Sequence, residues 1–187
     1  YFKSLNTFDD KFLNFLENFK FECDIWSVPE GSVIFPYEPI MTVRGPAVQA
    51  QLIETIALLI INHESLIATK SSRIKRAAKG RAVMEFGARR AQGIDASVYG
   101  AKASYIAGVD GTSNVLTGKL FNIPVLGTMA HSWVQMFDTE LDAFKAFAKS
   151  FPNNCVLLVD TYNTLQSGVP NAIKTFDEVL KPMGIRP

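Results

Sequence analysis

His131 follows a stretch that has the pattern of a buried strand. The stretch Ile123–Met129 is a short apolar run with a proline at its start, a position that a strand tolerates. Gly127 and Thr128 lie at the end of this predicted strand, and His131 comes directly after it. Because chemistry in parallel α/β folds gathers at the carboxyl ends of strands, His131 is a candidate catalytic residue.

Three further predicted strands also lead into polar or aromatic groups. These strands, with the groups that follow them, are Ala82–Phe86 with Arg89 and Arg90, Tyr105–Val109 with Asp110–Asn114, and Cys155–Val159 with Asp160–Asn163. If the strands are parallel, these groups and His131 meet at one edge of the sheet. Guanidinium groups match phosphate and carboxylate geometry, and glycine lets the backbone approach an anion closely. The set therefore suits an anionic, phosphorylated substrate.

Each of these residues also has a structural interpretation, which the pattern alone leaves open. A single histidine is more often structural than catalytic, and the pattern favours neither interpretation for His131; Phe86 is typical of a core, and Asp160 at a strand end is also a loop cap. Arg89 and Arg90 are equally interpretable as surface charges. The basic run Arg73–Arg81 fits a solvated helix face better than a phosphate site.

Strands and helices alternate in the second half of the chain. The predicted helices are Asp95–Ser104, Asn114–Phe121, Thr139–Phe151 and Pro170–Leu180. Their apolar residues recur at helical spacing, and Thr139 with Asp142 has the form of a capping box. The alternation predicts an α/β fold with a parallel sheet, and four strands correspond to half of an α/β barrel.

The first half of the chain has a different pattern. Aromatic residues at helical spacing predict a helix over Phe8–Phe19, and short apolar runs broken by proline and glycine predict a β-rich unit over Phe21–Pro46. A helix over Ala47–Asn62 and a second helical stretch to Ala78 follow. We therefore expect a helix and β-rich portion over 1–46, connecting helices over 47–81 and a partial barrel over 82–187.

The composition argues against several classes of function. The 187 residues carry a formal net charge of +1, so no overall field favours nucleic acid. The longest apolar run, Ile56–Ile61, is too short to cross a bilayer and no signal peptide is visible, so no membrane association is expected. Two distant cysteines and two histidines show no metal-binding spacing. This predicts no protein-held metal and a reducing, cytoplasmic environment.

Four stretches of the chain resemble the nicotinate phosphoribosyltransferase family. They are VPEGSVIFPYEPIMTVRGP (Val28–Pro46), EFGARRAQG (Glu85–Gly93), DGTSNVLTGKLFNIPVLGTMAHSW (Asp110–Trp133) and LVDTYNTLQSGVPNAI (Leu158–Ile173). The motifs are long and in the right order, and the resemblance extends over essentially the whole chain. It implies the type II phosphoribosyltransferase fold, an irregular α/β barrel with a small β-rich N-terminal portion.

The resemblance also implies an activity, the entry step of NAD salvage. Members of the family make nicotinate mononucleotide and pyrophosphate from nicotinate and phosphoribosyl pyrophosphate. They couple this reaction to ATP hydrolysis through a phosphohistidine, and Mg²⁺ accompanies the pyrophosphate. Members are typically homodimers with active sites at the subunit interface. The expected partners are therefore nicotinate, phosphoribosyl pyrophosphate, ATP with Mg²⁺, and a second copy of the protein.

The resemblance assigns roles to residues of the two downstream motifs. His131 corresponds to the histidine that ATP phosphorylates, and Asp160 to an acidic residue near it. Imidazole is a nucleophile near neutral pH, and a carboxylate on its other nitrogen would fix its tautomer and orientation. Thr128, in the same motif as His131, corresponds to a position that contacts nicotinate.

Three upstream residues correspond to substrate contacts. Phe86 matches the ring that stacks on the pyridine in nicotinamide-using relatives, and Arg89 matches a phosphoribosyl pyrophosphate contact. Ser113 stands where those relatives carry an aspartate that accepts a hydrogen bond from the amide. Serine does not repel a carboxylate, so nicotinate is expected rather than nicotinamide.

The sequence departs from the family's pattern in several places. Asn163 stands where many members have a second aspartate, so it is not assigned to the site. The family's amino-terminal tyrosine and downstream Asp-Ser-Gly-Asp segment are not found, so we interpret both ends as truncated and expect the isolated chain to be inactive. The alternatives are a nicotinamide- or quinolinate-using relative on the same architecture, and a truncated, non-catalytic product.

Overall fold

The computed structural model describes residues Tyr1–Ile185 and divides into two compact units, Tyr1–Val125 and the residues from Leu126 onward. The strands are β1 (Asp24–Ser27), β2 (Met41–Arg44), β3 (Met84–Glu85) and β4 (Gly111–Thr112). The α-helices are α1 (Asp10–Glu17), α2 (Ala47–Ala77), α3 (Ile94–Ile106), α4 (Val115–Phe121), α5 (His131–Gln135), α6 (Glu140–Ser150) and α7 (Val169–Thr175). Short 3₁₀ turns occupy Phe2–Leu5, Ala88–Arg90, Pro152–Asn154 and Lys181–Met183, and π-helical turns occupy Thr164–Gly168 and Phe176–Leu180. Domain boundaries after residues 46 and 81 stay a prediction.

The N-terminal segment contains the predicted helix and a two-stranded ribbon. Helix α1 begins after Asp9, whose side chain accepts a hydrogen bond from the Phe12 amide at 2.7 Å, so it is shorter than predicted. Strands β1 and β2 pair antiparallel, as expected for a β-rich portion. The apolar run Val33–Phe35 is not a strand, because the Phe35 amide donates to the Glu38 carboxylate and the chain turns there.

A single long helix replaces the two helices predicted after Pro46. Helix α2 continues through Asn62, because no glycine or proline interrupts its hydrogen bonding. Its second half packs on α3, where the buried Ser71 hydroxyl donates to the Ser104 hydroxyl at 3.0 Å. In its first half Leu52 and Ile56 are exposed. By length and composition alone, α2 would suffice to cross a membrane, a criterion that core helices of soluble proteins also meet.

The predicted parallel sheet is present but much shorter than expected. Strand β3 pairs parallel with β4, and Thr112 of β4 forms a further parallel bridge to Val125. The predicted strand Tyr105–Val109 is wrong, because α3 continues through Ile106 and Gly108, at φ 100°, turns the chain before β4 begins. Helix α3 itself confirms the prediction over Asp95–Ser104.

Two other predicted strands are also wrong. Ile123–Met129 forms only the bridge at Val125, and Cys155–Val159 has no strand partner among residues 1–185. A strand is assigned by its hydrogen-bonded neighbour, which an apolar run does not reveal. Residues of both runs nevertheless enter the core of the second unit, formed by Met129, Val134, Ala143 and Phe144 with Leu157, Leu158 and Val159 packed against it.

The two helices predicted in the second unit are present, whereas α5 was not predicted. Helix α6 begins at the predicted cap, where the Thr139 hydroxyl accepts from the Asp142 amide at 3.1 Å. The helix predicted over Pro170–Leu180 is present as α7 followed by a π-helical turn. Lys145 of α6 pairs with Glu178 of that turn at 2.5 Å, and Ala148 packs with Val179 and Leu180. These contacts join α6 to the π-helical turn that follows α7.

Candidate active site

The register of the short parallel sheet places Phe86 beside Ser113. Glu85 of β3 lies opposite Thr112 of β4, and Phe86 and Ser113 are the residues that directly follow the two strands. The Ser113 amide donates to the Glu85 carbonyl at 3.0 Å, which fixes the two loops at this point. Phe86 is 44% exposed, so its ring belongs to the surface rather than to a core. The structure thus brings together two residues that sequence reasoning assigned to one binding site.

The residues that precede Phe86 and Ser113, Glu85 and Thr112, are joined by a hydrogen bond that we call the carboxylate clamp. The Glu85 side chain accepts from the Thr112 hydroxyl at 2.7 Å and from the Gly87 amide. The Thr112 hydroxyl is fully buried and also accepts from the Asn114 amide at 3.0 Å. Sequence reasoning assigned no role to Glu85 or to Thr112, although Thr112 lies in the predicted cluster Asp110–Asn114 and both residues stand next to predicted contacts.

Arg89 lies in the loop that follows Glu85 and β3. It is in the 3₁₀ turn Ala88–Arg90, where the Arg90 amide donates to the Gly87 carbonyl at 2.8 Å. Both arginines are exposed, and neither forms an ion pair with any residue between Tyr1 and Ile185. Arg89 therefore retains its full set of guanidinium donors for an anion.

His131 and Asp160 meet in the second unit. His131 is the first residue of α5, and its Nε2 lies 3.8 Å from Oδ1 of Asp160. Its Nδ1 lies 3.2 Å from Oγ1 of Thr161, within hydrogen-bond distance. The side chains of His131 and Asp160 are 53% and 60% exposed, so a substrate has access to both. The proximity of histidine and carboxylate agrees with the predicted pair.

Thr161 belongs to the predicted cluster Asp160–Asn163, but sequence reasoning gave it no role. It follows Asp160 in the loop after the apolar run Cys155–Val159, and a hydroxyl next to a predicted acidic partner was its only signal. Thr128, predicted to contact nicotinate, is exposed, and its hydroxyl donates to the Met129 carbonyl at 3.2 Å. The predicted residues therefore form two groups, one in each unit: Phe86, Arg89 and Ser113 in the first, and Thr128, His131 and Asp160 in the second.

Asp110 and part of the basic run have a structural role. The Asp110 carboxylate accepts from the Lys75 ammonium at 2.5 Å and from the Val83 amide at 2.6 Å. These hydrogen bonds hold the pKa of Asp110 below its ordinary value. The contact joins the end of α2 to the residues that directly precede β3 and β4. It supports the structural interpretation of Lys75 over phosphate binding.

No residue cluster in the described part of the chain forms a metal site. Within residues 1–185, no three or more His, Cys, Asp or Glu side chains come together in a way that would hold an ion. Mg²⁺ usually takes one or two carboxylates together with substrate phosphates, and it keeps several waters. Among residues 1–185 the side chains therefore form no preformed cage for a metal ion.

Comparison with known proteins decides the family. A model described as the nicotinate phosphoribosyltransferase (NAPRTase) N-terminal domain matches residues 1–62, and one described as the NAPRTase family matches residues 81–178. The chain belongs to the nicotinate phosphoribosyltransferase family. The resemblance carried by the four sequence motifs is thereby confirmed.

Curated relatives extend well beyond this chain. Nicotinate phosphoribosyltransferase pncB2 of Mycobacterium tuberculosis is 48% identical over 186 residues, which is 100% of this chain and 39% of that protein. Nicotinate phosphoribosyltransferase of Bacillus subtilis is 51% identical over 164 residues, which is 86% of this chain and 33% of that protein. The chain thus spans between a third and two-fifths of the length of these relatives.

Solved structures confirm the predicted fold class. The crystal structure of human nicotinic acid phosphoribosyltransferase matches with a TM-score of 0.86 and 31% identity, covering 96% of this chain and 45% of the human one. Nicotinate-nucleotide pyrophosphorylase from Pyrococcus furiosus matches with a TM-score of 0.71 and 28% identity, covering 85% and 40%. This chain is therefore part of a type II phosphoribosyltransferase α/β fold with a β-rich N-terminal portion.

Proposed function

We propose that the natural-length protein is a nicotinate phosphoribosyltransferase that acts in NAD salvage. Its substrates are nicotinate, phosphoribosyl pyrophosphate and ATP, and its products are nicotinate mononucleotide, pyrophosphate, ADP and phosphate. Family membership, with both family models matching in order along one chain, is the observation that supports this proposal. The proposal includes a cytoplasmic homodimer and Mg²⁺, which would accompany the pyrophosphate and offset its charge.

The first unit supplies the groups for substrate binding. Phe86, exposed at the end of β3, offers a ring face to the pyridine, and Ser113 beside it offers a hydroxyl to the carboxylate. Arg89, exposed in the next turn, pairs with the phosphate groups of phosphoribosyl pyrophosphate. The pyridine nitrogen then attacks C1 of the ribose, and the C–O bond to pyrophosphate breaks with its electron pair. The transition state has oxocarbenium character, so positioning and stabilisation of the leaving group contribute most.

The second unit supplies the phosphoacceptor. The His131 imidazole attacks the γ-phosphorus of ATP, a P–N bond forms and the P–O bond to ADP breaks. Thr161 at Nδ1 and Asp160 near Nε2 orient the ring, and Thr128 adds a contact to nicotinate. Water later hydrolyses the phosphohistidine and releases phosphate. We propose that this cycle strengthens substrate binding during turnover.

The test is a turnover assay on the natural-length protein, wild type and His131→Ala. Mononucleotide formation from phosphoribosyl pyrophosphate is followed with nicotinate or nicotinamide, with and without ATP. We expect nicotinate-dependent turnover that ATP stimulates, and loss of the stimulation in the alanine variant. Turnover with nicotinamide alone would overturn the substrate assignment, and full stimulation in His131→Ala would remove His131 from its role.

The alternatives predict different results in the same assay. Ser113→Asp introduces the carboxylate expected in nicotinamide-using relatives, so this change should raise KM for nicotinate by charge repulsion. In a nicotinamide-using protein, Ser113→Asp would not raise KM for its substrate, because nicotinamide carries no negative charge. The isolated 187-residue chain, assayed in parallel, should be inactive, since it spans at most two-fifths of its curated relatives. Turnover by this chain alone would contradict that expectation.

A further inference from the structure

A buried glutamate of the second unit has no part in the function proposed so far. Glu140 is the first residue of α6 and is 5% exposed. Its Oε2 accepts from the Ser167 hydroxyl and, at 3.0 Å, from the Asn171 side-chain amide. Its Oε1 is buried and has no partner among the described residues. Burying a carboxyl group is unfavourable when one of its oxygens has no hydrogen-bond partner. The two hydrogen bonds at Oε2 must therefore serve a purpose that offsets this cost.

Those contacts fix one end of a compact turn. Ser167 belongs to the π-helical turn Thr164–Gly168, which the Asn163 side chain caps by accepting from the Gln166 amide at 2.9 Å. The Asn163 carbonyl also accepts from the amides of Ser167 and Gly168, at 3.0 and 2.9 Å. The turn is therefore a single hydrogen-bonded unit, held by Glu140 at its far end. Its near end begins immediately after the Asp160–Tyr162 loop.

The last residue of the turn, Gly168, packs against the backbone of Val159, the residue before Asp160. A β-carbon placed on Gly168 would lie 1.8 Å from the Val159 carbonyl oxygen, so the two backbones are in close contact. Gly168 is buried, and Val159 packs against the core that also includes Val134 of α5. Any shift of the turn would therefore move Val159, and with it Asp160 and Thr161, relative to His131.

We propose that Glu140 is a positioning residue for His131. It anchors the Asn163–Gly168 turn, the turn fixes Val159–Thr161 through Gly168, and the loop holds the Thr161 hydroxyl at Nδ1 of His131. Glu140 acts as a hydrogen-bond acceptor rather than as a charge, because a single oxygen makes both contacts and the other makes none. The inference rests on the proposed phosphohistidine function, in which the orientation of the imidazole sets the rate of phosphoryl transfer.

Three variants of the natural-length protein separate positioning from stability. Glu140→Gln keeps a carbonyl oxygen for Ser167 and Asn171, whereas Glu140→Met keeps the volume and removes the acceptor. Glu178→Gln is the matched control, because Glu178 also joins α6 to a following helical segment, through Lys145, and its ion pairs are to Lys145 and Lys174 rather than to residues of the turn. Ser167→Ala removes one donor without altering the buried carboxyl, in case Glu140→Met does not fold.

Two measurements are made on each variant. The rate of acid-labile phosphoenzyme formation from γ-labelled ATP reports on His131, and amide hydrogen exchange by mass spectrometry reports on peptides within Asp160–Gly168. We expect labelling by Glu140→Met to slow by about fivefold, the size expected for loss of one net neutral hydrogen bond, with faster exchange in this segment. Ser167→Ala should shift both readouts in the same direction. Glu140→Gln and Glu178→Gln should label at the wild-type rate.

The outcomes separate the inference from the proposed function. If Glu140→Met labels at the wild-type rate, the inference alone is overturned. If Glu140→Met does not fold, a wild-type rate in Ser167→Ala overturns it. Equal slowing in Glu178→Gln overturns it as well, because the effect would then be one of general stability. Failure of Glu140→Gln to label overturns the acceptor role. Absence of acid-labile label in the wild type overturns the phosphohistidine proposal, and the inference with it.

Discussion

Oγ1 of Thr161 lies 3.2 Å from Nδ1 of His131, closer to the imidazole than the Asp160 carboxylate, which lies 3.8 Å from Nε2. The hydrogen-bonding partner of the histidine is thus the residue after the acidic one that the sequence predicted. A hydroxyl can donate a hydrogen bond to a ring nitrogen or accept one from it. Thr161 can therefore keep its hydrogen bond to Nδ1 whether or not that nitrogen carries a proton. The carboxylate is placed to act through its charge.

Replacement of Thr161 tests whether this hydrogen bond orients the ring. Thr161→Val keeps the shape and removes the hydroxyl, while Thr161→Ser keeps the hydroxyl. We expect the valine variant to lose about fivefold in ATP-stimulated turnover, equivalent to a net hydrogen bond of ~1 kcal/mol, and the serine variant to stay close to wild type. The measurement is the initial rate with saturating ATP. Equal rates for valine and wild type would show that Thr161 does not orient His131.

Replacement of Thr112 tests the clamp beneath Phe86 and Ser113. Thr112→Val leaves the Glu85 carboxylate and the Asn114 amide without their buried partner, which should cost ~1–3 kcal/mol in the free energy of unfolding and raise KM for nicotinate. Thr117→Val is the control, because Thr117 is equally buried and donates instead to the Val98 carbonyl at 3.2 Å.

Denaturant unfolding and the KM values for nicotinate and phosphoribosyl pyrophosphate distinguish the two variants. The control should lose stability while KM for nicotinate stays the same. If both variants raise KM alike, the clamp has no specific effect on the ring-binding residues.

Replacement of Gly168 tests the close approach to Val159. Gly168 has φ −59°, so alanine would cause no backbone strain there and would act only through the clash of its β-carbon with the Val159 carbonyl. Overpacking usually costs ~1–3 kcal/mol, and a contact this short with backbone should exceed that range. Gly127→Ala is the control, since a β-carbon at Gly127 would meet nothing within 4 Å. Thermal and denaturant unfolding measure the difference, and equal stability of the two variants would contradict the packing described here.

Acid titration of stability tests the contact between Asp110 and Lys75. The hydrogen bonds from Lys75 and Val83 lower the pKa of Asp110 in the folded state below its ordinary value of 3.8. Its contribution to stability is therefore present above that value and is lost as the pH falls through the folded pKa. We expect wild type to be more stable than Asp110→Asn at neutral pH, and the difference to shrink below about pH 4. A difference that is independent of pH would show that the carboxylate charge does not contribute.

Helical segments were predictable from the sequence because their signals are local. The cap at Thr139 and the apolar spacing of α6 lie within a few residues of one another, and the structure agrees with both. Strands depend on partners far along the chain. Tyr105 and Ile106 therefore joined α3 instead of a strand, and the run Cys155–Val159 entered the core without a ladder.

Site residues could be predicted from the sequence where they belong to a recognisable motif. Residues whose role depends on a contact with a distant part of the chain could not. His131 and Asp160 came from motifs, and the structure places them side by side. Thr161, Glu85 and Glu140 act through hydrogen bonds to residues between 27 and 31 positions away, which no sequence spacing indicates. Burial of Glu140 in particular follows from the packing of α6 on α7, a property of the folded chain.

The most direct test of this account is the location of phosphate on the protein. The natural-length enzyme is incubated with γ-labelled ATP, digested at alkaline pH, and the labelled peptides are identified by mass spectrometry. We expect a single acid-labile phosphate in the peptide that contains His131, and no label in His131→Ala. An acid-stable label, or a label on another peptide that persists in His131→Ala, would contradict it.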